Sequence, residues 1–320
     1  MILDIGGTKT TSSVFTEDGR PVNNYFLVSE SKTYHGEDAV YSNTVMAAQT
    51  VLKNTGVNRE DLIGIGVAAP GPLDYKTGVI IDVPMMGWRN FPLGPRLAAD
   101  FGVPVCLDND GNLGALAEQR LGVAKGEQNV LYMTVSTGCG GGIILNGELY
   151  RGHSGCTGEF GHMTVNFHGT SCGCGGSGCF ETYASGTAMN RRMKRDMEKG
   201  IKCQTFEDME YDVTKINGKI LGAAAEKGDE YAIALLQQEG YYLGVGLANL
   251  FNLFDPDVFV LGGGVTKSRK WFHSAMMREL MRHTCLPVTE DRIRYSKLND
   301  KVVIYGAYCM IKEYIGKERA

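Results

Sequence analysis

Short apolar runs alternate with glycine turns and with longer stretches of helical spacing along the chain. Residues 1–5 read as a buried strand, followed by Gly6, Gly7, Thr8 and Lys9 and a second strand through Val14 and Phe15. Strand, glycine turn, strand is a β-hairpin whose bare backbone amides can approach an anion closely. The pattern recurs at 130–135, an apolar run followed by Ser136, Thr137, Gly138, Cys139, Gly140, Gly141 and Gly142 and the strand 143–145. An ordinary turn explains either one alone. Two such units predict two similar α/β domains, each aiming a glycine turn at one nucleotide.

Val40, Val45, Ala47, Ala48, Val51 and Leu52 predict a helix over 38–53 packed on the first sheet. A buried strand over 62–68 ends in Ala69, Pro70, Gly71 and Pro72, a turn that lets backbone approach a ligand. The strand 103–107 runs into Asp108, Asn109, Asp110, Gly111 and Asn112 and then a helix through Leu121. Asp110 is placed to cap that helix. At the carboxyl end of a strand it is equally placed to meet a substrate hydroxyl as a base, and the spacing leaves both readings open. Residues 187–199 and 219–254 read as helices, the second interrupted near Gly228 and Asp229, with Met189, Met193, Tyr241 and Phe251 as core. A buried strand over 258–261 leads into Gly262, Gly263 and Gly264 and a helix over 268–283, and 302–315 forms a last helix.

Composition narrows the classes. The chain's 320 residues suit two domains, and 43% hydrophobic content supports their cores. A net charge of -4 without a long basic run argues against nucleic acid as the main partner. No positive region leads into an apolar core at the amino terminus, and no apolar run approaches the roughly 18 residues of a membrane span. The expectation is a soluble, cytoplasmic protein with a small ligand and no membrane partner.

The densest chemistry lies between Gly155 and Glu181. Cys172, Cys174 and Cys179 stand among glycines, with His162 upstream. Three thiolates and an imidazole form a Cys3His set that suits structural zinc. A disulfide or chance clustering are the alternatives, and an odd count of nine cysteines argues against a disulfide framework. Glu159 and Glu181 flank the set. Carboxylates are poor companions for thiolate-bound zinc, so these two read as partners for sugar hydroxyls. Residues 173–178 satisfy GxGxxG, but no strand precedes them, and no GxxxxGK[ST] motif occurs. His35, His153, His168, His273 and His283 show no partner pattern.

The run CGCGGSGCFE, with GEFGH before it, resembles the zinc signature of the ROK family of bacterial sugar kinases and sugar-responsive repressors. Similar motifs extend over essentially the whole chain. The resemblance implies the actin, hexokinase and Hsp70 fold group, in which two ribonuclease-H-like α/β domains close over ATP with the active-site cleft between them. It implies a smaller domain of residues 1–115 plus 303–320 and a larger one of 116–302 carrying the zinc loop. By the same resemblance LDIGGTKT is the first phosphate loop, with Asp4, Gly6, Gly7, Thr8 and Lys9, and STGCGGG is the second, with Thr137 and Gly138. Gly262, Gly263 and Gly264 would lie against the adenosine.

In the family the aspartate at the position of Asp110 is the catalytic base and the preceding Asn109 holds sugar hydroxyls; Asp108 and Gly111 depart mildly from the usual residues. Gly71, Glu159, His162 and Glu181 would grip the sugar, and His162 would join the three cysteines around the structural zinc. The segment 79–93 with Trp88 resembles a glucokinase pattern, with Met85 and Met86 where an asparagine is usual. The implied activity is phosphoryl transfer from Mg-ATP to the 6-hydroxyl of glucose, with N-acetylmannosamine, fructose, allose or mannose as alternative substrates. A homodimer or dimer of dimers is the implied assembly. Repressor relatives carry a helix-turn-helix before the first phosphate loop, and a loop starting at Asp4 leads us to expect an enzyme instead.

Overall fold

Runs of Val, Ile and Leu bounded by glycine or proline fold as strands, because branched side chains pack well on a pleated surface and the bounding residues turn the chain. The computed structural model describes residues 1–31, 33 and 36–319, so His35 lies outside the described residues. Strands β1 (Ile2–Ile5), β2 (Lys9–Ser13) and β3 (Leu27–Glu30) form an antiparallel meander. Helix α1 (Glu37–Thr55) buries Val40, Ala47, Ala48, Val51 and Leu52, the face its spacing predicts. Strand β4 (Ile65–Ala68) is buried at every position and runs parallel to β1, as expected of a strand covered on both faces. A small antiparallel sheet follows, of β5 (Leu73–Asp74), β6 (Val79–Val83) and β7 (Trp88–Phe91). Helix α2 (Leu93–Phe101) then leads to β8 (Val105–Asp108), parallel to β4, and to α3 (Asp110–Arg120).

The pattern then repeats. Strands β9 (Val130–Val135), β10 (Cys139–Leu145) and β11 (Glu148–Leu149) precede a stretch, 150–185, whose only helical pieces among the described residues are three-residue turns. Helices α4 (Gly186–Glu198), α5 (Gln204–Asp208), α6 (Gly218–Glu226) and α7 (Glu230–Phe254) come next. Strand β12 (Val258–Gly262), helix α8 (Arg269–His283), strand β13 (Ile293–Tyr295) and helix α9 (Val302–Glu318) complete the chain. The two large sheets have the orders β3-β2-β1-β4-β8 and β11-β10-β9-β12-β13. In each, the first strand is central, its two successors lie on one side and two later strands on the other.

The described residues group into two compact units, one of Met1–Gly126, Gly142–Gly158 and Asp300 onward, the other of Glu127–Gly141 and Glu159–Asn299. The first unit's core includes Leu3, Ile5, Val40, Val51, Ile65, Val67, Leu97 and Leu107. Trp88 is fully buried there, stacked on Phe91 with ring centroids 4.8 Å apart, and its Nε1–H donates to Glu37 O at 3.1 Å. Helix α9 packs on α3 so closely that a side chain at Gly306 would strike the Leu113 backbone, and Leu113, Leu116, Ile304 and Ala307 share a core. Among the described residues no helix is long and apolar enough to cross a membrane.

Candidate active site and metal centre

In the first unit the acids gather where β8 passes into α3. The register pairs Asp4 with Ala68 and Ala68 with Asp108, so Asp4 and Asp108 stand level at the carboxyl ends of parallel strands. Asp108 is fully buried. Its Oδ1 accepts the Asn109 N–H and the Asn112 side-chain amide, each at 2.8 Å, and its Oδ2 accepts Arg151 Nε–H at 2.6 Å. The helix cap is Asn109, not Asp110: with an extended backbone of φ -76° and ψ 160°, Asn109 accepts the Asn112 N–H through its side chain at 2.7 Å. The capping reading of Asp110 is thereby corrected. Asp110 is the first helical residue, and its Oδ1 accepts the Gly111 N–H at 2.8 Å.

One side of Asp110 is open to solvent, yet the atoms crowded around the rest push its carboxyl above the usual range, against the pull of the Gly111 amide. Asp4 is pushed up to about 6, first by burial and then by the charge of Asp110, with Lys9 drawing it down. An acid raised by the charge of a second acid favours a cation or a proton beside it. Beside them the first glycine turn is closed by Gly6 N–H to Lys9 O at 2.9 Å. Ser31 supports the turn from 25 residues away, donating to Gly6 O at 2.6 Å and lying 3.1 Å from Thr10 Oγ1. The Met85 side chain packs over Gly7, and Gly71 is exposed in the turn between β4 and β5. Ser31, Asn112 and Arg151 were not singled out by spacing, because their partners are distant in sequence or lie beneath the helix cap.

In the second unit the ligating atoms of His162, Cys172, Cys174 and Cys179 all lie within 4.8 Å of one another. Cys174 Sγ is 3.6 Å from Cys179 Sγ, and Cys172 Sγ is 3.7 Å from His162 Nδ1. Metal–sulfur bonds of about 2.3 Å in a tetrahedral set place ligand atoms about 3.8 Å apart, so these four fit a metal ion. Glu181 borders the set, its Oε1 lying 3.4 Å from Cys172 Sγ and 3.8 Å from His162 Nδ1. Glu159 Oε2 lies 3.9 Å from His162 Nε2, so Glu159, His162 and Glu181 form one polar edge. Glu181 also reaches the second glycine turn, its carboxylate occupying the space a side chain at Gly138 would need. A cavity of about 330 Å³ opens there, lined by Thr137, Gly138, Ser171, Glu181, Thr187 and Arg191 among others. Beneath it Arg192 donates to Tyr183 O and to Glu239 Oε2, each at 2.7 Å, with both side chains buried.

The third glycine turn is partly a packing device. Gly263 has φ 88° and sits on the Val135 backbone, where a side chain could not fit, while Gly264 has open space before it. His273 has partners after all, Tyr295 Oη at 2.7 Å and Glu290 Oε1 at 2.9 Å. His283 Nε2 lies 3.7 Å from Glu279.

Residues 1–314 match the model of the ROK family. The chain is 33% identical over 318 residues to a glucokinase of Halalkalibacterium halodurans, covering 97% of this chain and 94% of that protein. The crystal structure of a ROK hexokinase from Thermus thermophilus matches with a TM-score of 0.77 at 34% identity, over 99% of this chain and 98% of that one. A ROK family glucokinase from Streptomyces griseus, in complex with glucose and AMPPNP, matches with a TM-score of 0.79 at 30% identity, over 96% and 97%.

Proposed function

The chain belongs to the ROK family, and from that premise we propose that it is an ATP-dependent hexokinase transferring the γ-phosphate to the 6-hydroxyl of glucose. Its fold is that of the actin, hexokinase and Hsp70 group. The observation that carries the proposal is the division of labour at the head of α3. Asn109 caps the helix, which leaves the Asp110 carboxylate, open on one side, to meet a hydroxyl.

Phosphoryl transfer passes through a loose transition state in which positioning and charge stabilisation supply most of the acceleration. Asp110 accepts a hydrogen bond from the 6-hydroxyl, aims its oxygen at the phosphorus and takes the proton as the new bond forms. Burial that raises its pKa makes it a better acceptor than a free aspartate. Gly71, Asn109, Glu159, His162 and Glu181 hold the remaining hydroxyls. Gly6, Gly7, Thr8, Thr137 and Gly138 offer phosphate contacts, with the Lys9 ammonium, and Gly262 to Gly264 border the adenosine. Mg2+ arriving with ATP would neutralise phosphate charge, and Asp4, crowded by Asp110, is the residue disposed toward it.

The Cys3His set suits zinc, with thiolates and an imidazole filling all four positions. Such a zinc is structural and shapes the segment carrying Glu159 and Glu181. Were His162 to hold the metal through Nδ1, its Nε2–H, on the Glu159 side, would remain to donate to a hydroxyl. An ADP-release assay with Mg-ATP over glucose, mannose, N-acetylmannosamine, fructose and allose tests the proposal. Glucose should give the highest kcat/KM; turnover of no hexose would overturn the assignment, and a clear preference for N-acetylmannosamine would move it to that sugar.

A further inference from the structure

Three acids crowd the carboxyl edge of the first sheet, and the one furthest from solvent is Asp108. Its side chain is 1% exposed, and Arg151, reaching it from the segment after β11, is its ion-pair partner at 2.6 Å. The guanidinium is also held from a second direction, lying 4.5 Å from the centre of the Tyr75 ring. Tyr75 is fixed in turn. It sits in the β5–β6 turn, where Asp74 accepts the Lys76 N–H at 2.9 Å and the Thr77 hydroxyl at 2.7 Å, and Gly78 N–H closes onto Asp74 O at 2.9 Å. Strand β5 begins just beyond the exposed Gly71 turn.

These contacts join two segments that the proposed reaction uses. On one side Tyr75 belongs to the hairpin that follows Gly71. On the other, Asp108 orients the main chain of Asn109 through its N–H and the base of α3 through the Asn112 side chain. A buried carboxylate stays directional only while it is paired. Stripped of its cation it is left as an uncompensated charge that turns toward water, and its remaining hydrogen bonds weaken. Asp110 is two residues from that carboxylate.

We infer that Arg151, clamped between Tyr75 and Asp108, is a positioning residue that sets Asn109 and Asp110 in fixed relation to the Gly71 turn. This rests on the reading of Asp110 as the catalytic base. Arg151 acts through Asp108 on the main chain that carries the base. A displacement of about 1 Å in such a group costs up to about 100-fold in rate.

The test compares Arg151→Met, Tyr75→Leu and, as a control on an exposed ion pair, Arg20→Met with the unaltered protein. Steady-state kinetics with glucose and Mg-ATP are read alongside thermal unfolding and hydrogen exchange at the Asn109 amide. Arg151→Met should lower kcat about 10- to 100-fold, leave KM for ATP within about twofold and speed Asn109 exchange. Tyr75→Leu, which keeps the ion pair, should lower kcat about 3- to 10-fold by the same route, and it decides the matter if Arg151→Met does not fold. Arg20→Met should match the unaltered protein. A kcat for Arg151→Met within about twofold of normal, or a loss only in proportion to the unfolded fraction, would overturn the inference. If the unaltered protein phosphorylates no hexose, the functional reading fails separately and exchange decides: an unchanged Asn109 amide in Arg151→Met then overturns the brace, a faster one sustains it.

Discussion

Asp110 in the first unit and Glu181 in the second, each proposed as a sugar contact, are held in opposite ways. Asp110 stands where a strand becomes a helix, so its position follows from main-chain geometry, the Asn109 cap and the buried Asp108 with its three donors. Glu159, His162 and Glu181 lie in a stretch whose helical pieces are three residues long, and their positions follow from four side chains converging on one point. Regular structure tolerates the loss of a functional side chain, because the hydrogen bonds that hold it belong to its neighbours. A loop shaped by a metal has no such reserve, since each ligand holds the rest in place.

The largest effect should come from breaking the second arrangement. Structural zinc in small sites contributes on the order of 10 kcal/mol to local order. Removing the metal with a chelator, or substituting Cys174→Ala, should abolish measurable hexose binding and open 159–181 to proteolysis while leaving most helical circular dichroism intact. Retained glucose affinity in protein shown by elemental analysis to hold no zinc would remove the metal from its shaping role. The matching change in the first arrangement is Asp110→Asn. It should lower kcat by roughly 1,000-fold, within the range for a positioned base, with the fold and glucose binding nearly unchanged. Near-normal turnover in a folded Asp110→Asn protein would contradict the base assignment.

A third change asks whether the loop carrying the Cys3His set has any support besides those four side chains. Arg192 ties Tyr183 O, just beyond Glu181, to the fully buried Glu239. Burial pushes the Glu239 carboxyl up while Arg192 pulls it down. Arg192→Met leaves a buried acid without its partner and should destabilise the second unit by about 3 kcal/mol, read from the midpoint of urea unfolding. A shift below about 1 kcal/mol would mean that the metal holds this end of the loop unaided.

How legible each region was follows from the same contrast. The metal set could be read because its cysteines are local, with His162 only ten residues before Cys172. The strands around both glycine turns could be read because an apolar run meets a residue that turns the chain. The break between α6 and α7 was visible at Gly228 and Asp229, and Asp229 does cap α7, accepting the Ala232 N–H at 3.1 Å. Strands β5 to β7 were missed because they are short and carry Asp82, Arg89 and Asn90; burial of Trp88, rather than alternation, holds them. The choice between Asn109 and Asp110 as cap was beyond spacing, since both residue types cap well and the backbone angle at Asn109 decides. Ser31 at the first glycine turn and the partners of His273 come from 25, 22 and 17 residues away, distances at which periodicity carries no information.

The smallest expected effect sharpens the comparison most, because it asks what the first arrangement costs the fold. Asp4 is pushed up to about 6 by burial and by Asp110, against an ordinary aspartate near 4. An acid whose folded pKa lies above its unfolded one binds its proton better when folded. Its contribution therefore favours folding increasingly as pH falls from about 6 toward about 4, and above about 6 its ionisation works against the fold. Asp110→Asn removes the like charge and should draw Asp4 back toward its ordinary value. One effect opposes this: a carboxylate at the first position of α3 is favoured by the helix terminus by about 0.3–1 kcal/mol. The net direction for Asp110 is nonetheless upward, because burial outweighs the Gly111 amide and Asp110's own amide together. Asp110→Asn should therefore raise Tm by roughly 2–4 °C at pH 8, with the difference shrinking as pH falls through 6 and gone near about pH 2, where both acids are protonated in either state. A lower Tm at pH 8 would show the helix-end contact to be the stronger, and the two acids would then be held at no cost to stability.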